Sequence, residues 1–246
     1  MKQSHKLKLS FCITCKNRFY QIKKTLPKNL KDNGLDENMI EFVLVDFDSE
    51  DGLQDWVIKN FTAELKSGYL KYCHTDRLPF WHASIAKNTA HYYANNDIVT
   101  NLDCDNYTGY RGGRYLIDLF CENKNIITHQ YNSIDDGCYG RISVLKKYFE
   151  KIGGYDENFE PMGYQDIDLI MRLKLLGLKY LRLNSQEYCK AELNTKKDSI
   201  KYTNSNMIWH EMDYINMKQS THNINCGNIV ANNETYGIRT ATIYKS

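Results

Sequence analysis

The 246 residues of the chain are 42% hydrophobic and 25% charged, a composition typical of a globular protein with one sizeable core. A formal net charge of +2 gives no broad cationic surface, so nucleic acid is not an expected partner. The sequence contains no run of about 18 apolar residues. The N-terminus lacks the apolar stretch of a secretory signal, so we expect a cytoplasmic protein with reduced cysteines.

Strands and helices alternate regularly in the first half of the sequence. The patterns predict a strand at 7–14, a helix at 17–33, a strand at 39–47, a helix at 52–65, a strand at 69–75, a helix at 83–96 and a strand at 97–103. Pro27 is expected to kink the first helix or to end its first half. This alternation predicts an α/β fold with a mostly parallel central sheet flanked by helices.

Two cysteines in the first predicted strand have the spacing of a redox or zinc pair. Residues three apart on a strand face opposite sides of the sheet, and no second pair with metal spacing follows Cys12 and Cys15. We therefore interpret both as buried structural cysteines.

The second half is less regular and ends in a polar segment. We predict a helix at 115–123, a strand at 125–132, a helix at 141–154, a helix at 164–177 and a strand at 178–183. The rest is rich in asparagine and has no clear period. We expect a core over residues 1–185 and a loop-rich extension over 186–246 that packs on it.

Aspartates stand at the ends of three predicted strands, where parallel sheets collect their ligands. They are Asp46 with Asp48, then Asp76, then Asp103 with Asp105. The glycine-rich patterns of dinucleotide-binding and phosphate-binding loops are missing from the sequence, which argues against those classes of enzyme.

The pair in "NLDCDN" is the most informative of these. Carboxylates at i and i+2 of a strand point the same way and repel one another, unless a divalent cation lies between them. Oxygen ligands suit Mg²⁺ or Mn²⁺ better than zinc, and such ions take their other ligands from phosphates and water. Asp103 and Asp105 therefore indicate a metal–diphosphate site, or else a solvated turn after a strand.

Three further segments stand in order around this pair: "VLVDFDSEDG" (43–52), "ASIAKNTAH" (83–91) and "KIGGYDENFEPMGYQDIDLIMRLKLLG" (151–177). With them the chain resembles glycosyltransferases of the GT-A fold, close to the family 2 enzymes and to the carboxyl-terminal half of β-1,4-galactosyltransferases. The resemblance covers residues 7–185. It implies a nucleotide-binding half over 1–105 and an acceptor and catalytic half over 106–185.

The resemblance implies a donor site in the first half. Asp46 would contact the nucleotide base, although Phe47 replaces the second aspartate of the usual pattern, and Asp103 with Asp105 would hold the metal that bridges the diphosphate. The implied nucleotide-binding residues are Asp46, Asp48, Ser49, Asp51, Lys87, Asn88 and Asp103.

The resemblance also implies the catalytic and acceptor residues. Asp166 would be the general base, and Gln165 replaces the usual glutamate beside it. The acceptor would contact Gly163, Tyr164 and Gln165, and the sugar could stack on Tyr155, Phe159 or Tyr164. A histidine often completes the metal site; His210 is our choice and His222 is its competitor.

The function implied is an inverting transfer of a Gal, GalNAc or Glc type sugar from a UDP-sugar to a glycan acceptor, with Mn²⁺ or Mg²⁺. Surface polysaccharide or lipooligosaccharide synthesis would suit such an enzyme, with lipid-linked acceptors met at the inner membrane face. A nucleotidyltransferase is an alternative, but it would want a glycine-rich basic loop where "CKNRFYQ" (15–21) stands. A catalytically weak or dead sugar-nucleotide-binding module is the other, because Gln165 lacks the usual charge.

Overall fold

The computed structural model describes residues 6–232 and 235–244. Its strands are β1 (Leu9–Cys15), β2 (Ile40–Asp46), β3 (Leu70–His74), β4 (Ile98–Asp103), β5 (Asn106–Tyr107), β6 (Ile126–Gln130), β7 (Ile142–Leu145), β8 (Lys179–Leu183), β9 (Lys190–Ala191) and β10 (Thr242–Tyr244). Its α-helices are α1 (Phe19–Asn33), α2 (Leu53–Asn60), α3 (Thr62–Ser67), α4 (Ala83–Tyr93), α5 (Gly112–Glu122), α6 (Lys146–Lys151), α7 (Gln165–Leu175), α8 (Lys196–Ser199) and α9 (Trp209–Asn225). A 3₁₀ turn covers Gly34–Asp36.

The central sheet has eight strands in the order β10-β3-β2-β1-β4-β7-β6-β8. The pairs β1–β2, β1–β4, β2–β3 and β6–β8 are parallel, whereas β7 runs antiparallel to β4 and β6, and β10 runs antiparallel to β3. The predicted α/β class with a mostly parallel sheet is confirmed. The carboxyl ends of β1, β2, β3 and β4 lie along one edge, where the loops that follow them meet.

Helices cover both faces of the sheet, so its central strands are buried on both sides and rich in apolar residues. Every residue of β1 and β2 is buried, and alternate residues enter two separate hydrophobic clusters. Phe11 stacks on Phe42 on one face, with ring centroids 4.9 Å apart. Cys15 belongs to that cluster and Cys12 to the opposite one, so both are buried structural thiols as predicted.

Two of the predicted helices differ from the elements that the structure shows. The helix predicted at 52–65 is two helices separated at Phe61, whose ring turns inward and packs 5.0 Å from Trp56. The helix predicted at 141–154 begins instead as β7, because its four residues are buried between β4 and β6. Pro27 lies within α1 without ending it. The Lys23 carbonyl accepts no hydrogen bond from residue 27, because proline has no N–H. Pro27 and Lys23 are both exposed, so water can take the place of that donor.

The segment after residue 185 contains more regular structure than its sequence predicts. Helix α9 runs over 17 residues, and β10 adds an edge strand to β3. The division into a core and an extension stays a prediction. In the described part of the chain, no helix combines the length and the apolar character that crossing a bilayer requires.

Candidate active site

A cavity of about 530 Å³ opens at the carboxyl ends of β1 and β4. The loop after β1 contributes Lys16 and Arg18, and helix α4 contributes Lys87. The other walls are the segment after β4, the start of α7, and a stretch of the C-terminal part of the chain. Residues 190–202, which we call the strap, are tied at both ends. The Glu192 N–H donates to the Asp105 carbonyl, 2.8 Å, and the Trp81 N–H donates to the Tyr202 carbonyl, 2.7 Å.

Asp103 and Asp105 both line this cavity. Asp103 is the last residue of β4, and Asp105 lies in the turn beyond it rather than in a regular strand. Asp105 accepts hydrogen bonds from Arg18 at 2.8 Å and from the Asn106 amide at 2.7 Å. Burial raises the pKa of Asp105 to about 6, Arg18 opposes this shift, and the charge of Asp103 reinforces it.

The Asp103 carboxylate sits in a tight place beside β7. Its Oδ1 accepts from the Asn101 amide at 3.1 Å. A Cβ on Gly140 would lie 2.8 Å from its Oδ2 and 3.3 Å from the Lys87 ammonium nitrogen. A side chain at position 140 would therefore displace the Asp103 carboxylate within the cavity.

Asp166 lines the same cavity from the first turn of α7. The Lys87 ammonium donates to its Oδ1 at 2.6 Å. Among the described residues, only the Gln165 amide nitrogen lies near its Oδ2, at 3.4 Å. Burial raises the pKa of Asp166, Lys87 opposes the shift and Asp103 reinforces it. One oxygen is therefore fixed by a buried cation, and the other is available to a ligand.

The residues before Asp166 form a strained turn. Tyr164 has a left-handed backbone, φ 61°, which is uncommon for a residue other than glycine. Gly163 has φ 95°, and a Cβ there would lie 2.7 Å from the backbone of Asp213 in α9. The missing side chain of Gly163 therefore allows this turn to pack closely against α9. Gln165 is 7% exposed, and its Oε1 accepts no hydrogen bond from any described residue.

Other predicted donor-site residues lie outside the lining of the cavity. Asp46 is fully buried, and its oxygens accept from the Ser49 N–H at 3.0 Å and the Tyr72 hydroxyl at 2.6 Å. Asn88 is also fully buried and bonds to Tyr155 and Glu157. In this structure both side chains hold the protein's own segments together.

Asp48, Ser49 and Asp51 form the loop after β2, also beside the cavity rather than in its lining. Asp48 lies 3.4 Å from the His74 ring nitrogen, the Ser49 hydroxyl accepts from the Asn17 N–H, and Asp51 accepts from the Phe19 N–H at the start of α1. Lys87 does reach the cavity, but there it pairs with Asp166. The nucleotide-binding roles of these residues stay predictions.

The residues present fit a divalent cation in part. Six aspartates and four cationic side chains line the cavity, so an anionic ligand would meet an excess of carboxylates. A cation between Asp103 and Asp105 would relieve the repulsion that raises the pKa of Asp105. Within residues 6–232 and 235–244, no group of three or more His, Cys, Asp or Glu could hold a metal by itself. Two carboxylates with substrate phosphates and water remain a suitable ligand set for Mg²⁺ or Mn²⁺.

Neither of the two candidate histidine ligands lies in the lining of the cavity. His210 is exposed in the first turn of α9 and does not line the cavity, although its neighbour Trp209 does. His222 lies in the last turn of α9, 3.8 Å from the Cys226 sulfur. Whether either histidine binds a metal stays a prediction.

Aromatic side chains do line the cavity, but only one of them is among those predicted. Tyr155 and Phe159 are buried, so neither offers a face to a sugar. Tyr164 lines the cavity, together with Trp81, Tyr139, Tyr202 and Trp209.

The sequence pattern also missed several charged residues of the lining. Arg18 could have been found, because it follows the first strand directly. Lys196, Asp198 and Asp213 could not, because only the tertiary fold brings the strap and α9 over the strand ends.

Comparisons with known proteins agree with this architecture. The family model described as the N-terminal domain of galactosyltransferase matches residues 127–195, from β6 to the strap. A search of curated proteins by sequence found no match.

Solved structures are similar in fold at low sequence identity. TarS 1–349 of S. aureus in complex with UDP is 14% identical with a TM-score of 0.62, over 89% of this chain and 72% of that one. The mannosyltransferase PcManGT from Pyrobaculum calidifontis, in complex with GDP-Man and Mn²⁺, is 15% identical with a TM-score of 0.59, over 74% of this chain. The match spans 56% of the length of that mannosyltransferase. The chain therefore has the fold of these proteins, the GT-A fold.

Proposed function

We propose that this chain is a metal-assisted, inverting glycosyltransferase that moves a sugar from a UDP-sugar to a hydroxyl of a glycan acceptor. One observation carries the proposal: the fold brings Asp166 to the cavity that Asp103 and Asp105 line, although it lies about 60 residues further along the sequence. Burial raises the pKa of both Asp105 and Asp166, which is a common property of carboxylates that bind cations or move protons.

The donor would lie on the Asp103–Asp105 side of the cavity. These two carboxylates would hold Mn²⁺ or Mg²⁺, which when bound supplies positive charge to the diphosphate of the donor. The UDP of the TarS structure and the GDP-Man and Mn²⁺ of the mannosyltransferase structure support such a donor. Arg18, already 2.8 Å from Asp105, stands where it can also stabilise the charge of the leaving diphosphate.

Asp166 would act as the general base. Its Oδ2 would accept the proton of the acceptor hydroxyl while that oxygen attacks the anomeric carbon from the side opposite the diphosphate, which inverts the configuration. Lys87 holds Oδ1 at 2.6 Å, so it fixes the direction of the carboxylate. A raised pKa makes Asp166 a stronger base than an ordinary aspartate and suits it to this step.

The acceptor would bind beside the start of α7. The Gln165 Oε1 is a buried atom that accepts no hydrogen bond from any described residue, so a hydroxyl of the ligand can donate one to it. A glutamate would offer the same bond with a negative charge. We propose that Gln165 binds a neutral hydroxyl of the acceptor without adding to the acidic surplus of the cavity. The sugar of the donor, of Gal, GalNAc or Glc type, belongs to the same proposal.

The test is a turnover assay that separates the three candidate activities. The protein is incubated with Mn²⁺ and UDP-Gal, UDP-GalNAc, UDP-GlcNAc or UDP-Glc, and free UDP is measured. A parallel incubation with Mn²⁺, UTP and the matching sugar 1-phosphates is assayed for pyrophosphate. A glycosyltransferase releases UDP slowly by hydrolysis and faster with an acceptor. Asp166→Asn is the matched control, which should lose the accelerated release. Pyrophosphate release would indicate a nucleotidyltransferase, and binding of UDP without any release would indicate a catalytically dead module.

A further inference from the structure

The cationic side chains of the cavity differ in how their charge is already used. Arg18 is paired with Asp105, and Lys87 with Asp166. Lys16 is buried, and its ammonium donates to two backbone carbonyls at 2.6 and 3.3 Å. Each of these three charges is therefore already compensated, at least in part, by groups of the protein itself.

Lys196 is the exception within the described lining of the cavity. It lies on the strap, at the first residue of α8, and no described carboxylate is within ion-pair distance of it. Its ammonium instead lies 3.7 Å from the ring centroid of Trp209, the first residue of α9. Both side chains line the cavity, so the contact closes part of the wall without neutralising the charge.

This contact has two consequences for a ligand. A cation over an exposed aromatic face is held weakly, whereas a charge-assisted hydrogen bond to a phosphate or carboxylate is stronger. An oxyanion in the cavity therefore outcompetes the indole for the ammonium. Once Lys196 moves, the flat apolar face of Trp209 becomes available to the cavity.

We propose that Lys196 is the residue of the cavity that recognises an oxyanion of the bound ligand, phosphoryl or carboxylate, and that its release from Trp209 opens the indole face for a sugar ring. This deepens the proposed function and rests on it, because the ligand is then a nucleotide-sugar diphosphate or an acidic sugar of the acceptor. The exchange links the binding of charge to the formation of a sugar-binding surface.

The neighbouring lysine offers a matched control. Lys197 is exposed on the same short helix but does not line the cavity. Replacing either lysine by methionine removes the same charge from nearly the same place. A general electrostatic effect would weaken binding equally in both variants, whereas direct recognition requires Lys196.

The experiment titrates wild type, Lys196→Met and Lys197→Met with four probes: UDP with Mn²⁺, inorganic pyrophosphate, glucuronic acid, and uridine as the neutral control. Binding is followed by calorimetry and by tryptophan fluorescence, and Trp209→Phe identifies the signal of this indole among the three tryptophans. We expect Lys196→Met to weaken the affinity for the recognised anion about tenfold, because one charge-assisted hydrogen bond is lost. Lys197→Met should weaken it less than about twofold. The part of the saturable fluorescence change that comes from Trp209 should be present in wild type and absent in Lys196→Met. In Trp209→Phe only the signal of the other tryptophans remains, including Trp81 of the same cavity.

The probes distinguish the source of the oxyanion. A Lys196-dependent effect on UDP and pyrophosphate assigns the contact to the donor diphosphate, and an effect confined to glucuronic acid assigns it to an acidic acceptor. Equal affinities in Lys196→Met and Lys197→Met for every probe would overturn the inference, even if UDP binds and turns over. If wild type fails to bind UDP, the proposed function fails, and pyrophosphate and glucuronic acid still decide the role of Lys196.

Discussion

Two ion pairs start from the same turn of α7 and differ in how completely they are satisfied. Asp168 accepts from Arg172 at 2.7 Å and from the Ser220 hydroxyl at 2.7 Å, and both residues are at most 2% exposed. Arg172 also donates to the carbonyls of Ile152 and Gly154. Asp166 has one close partner, Lys87, and its second oxygen borders the cavity.

The two pairs show that residue type alone does not distinguish an ion pair that stabilises the fold from one that is suited to catalysis. Every strong bond of the Asp168 pair ends on another part of the protein, so this pair joins α7 to α9 and to the segment before α7. The Asp166 pair keeps an acceptor atom for something else. A buried carboxylate with an unfilled oxygen at a cavity is the arrangement that a general base needs.

The sharpest way to test this difference is to remove one charge at the open pair. Asp166→Asn should lower kcat about 10²- to 10⁴-fold, the usual contribution of general base catalysis, with UDP affinity nearly unchanged. Steady-state kinetics and calorimetry measure the two quantities. Asp135→Asn, another carboxylate of the cavity lining but an exposed one, should change kcat little. Equal losses in the two variants would contradict the role of Asp166.

The closed pair should respond in stability instead. Arg172→Met leaves Asp168 and two carbonyls buried without their donor, and should lower the free energy of unfolding by about 3–5 kcal/mol. Urea denaturation measures this loss. Lys174→Met, on the exposed side of the same helix, should stay within about 0.5 kcal/mol. A marginal effect of Arg172→Met would mean that this pair is not the structural tie we describe.

Lys87 tests both sides of the comparison in one residue. Lys87→Met should cost stability by only about 1–3 kcal/mol, since water and ligand can reach Asp166, and should also reduce kcat. Lys87→Arg keeps the positive charge and should recover most of the activity. Recovery of stability without recovery of turnover would show that Lys87 supports the fold but does not hold the base.

The pair of Arg18 and Asp105 gives the smallest expected effect. Asp105 has a pKa of about 6, so its carboxylate is ionised at pH 7 and mostly protonated at pH 5. Because a metal needs the ionised form, the Mn²⁺-dependent part of the UDP affinity should fall about tenfold over that range. Asp105→Asn should bind UDP weakly in the presence of Mn²⁺, and this affinity should not change between pH 7 and pH 5 through residue 105. Full affinity at pH 5 would exclude Asp105 as a ligand.

Much of the fold could be predicted because the forces that form it leave local patterns. Strands covered on both faces, such as β1 and β2, are rich in apolar and β-branched residues. The segment of β7 could not be assigned, because four buried residues next to a helical pattern fit either structure. The buried residues of α9 are Met212, Asn216 and Ser220, two of them polar, so no apolar stripe marks that helix.

The site divides in the same way. The position of Asp103 and Asp105 at the end of a strand could be predicted from the local pattern, whereas only the family resemblance singles out Asp166. Asp46 and Asn88 show the limit, because a sequence does not reveal whether a polar side chain turns into the protein to satisfy its own backbone. The strap and Trp209 reach the cavity only through contacts between distant segments, which local patterns do not encode.

The most direct measurement of the central claim is a calorimetric titration of UDP into wild type and Asp105→Asn, each with and without Mn²⁺. Our account predicts that Mn²⁺ strengthens UDP binding at least about tenfold in wild type and has no effect in the variant. UDP binding that is the same in all four titrations, or not detectable in any, would contradict it.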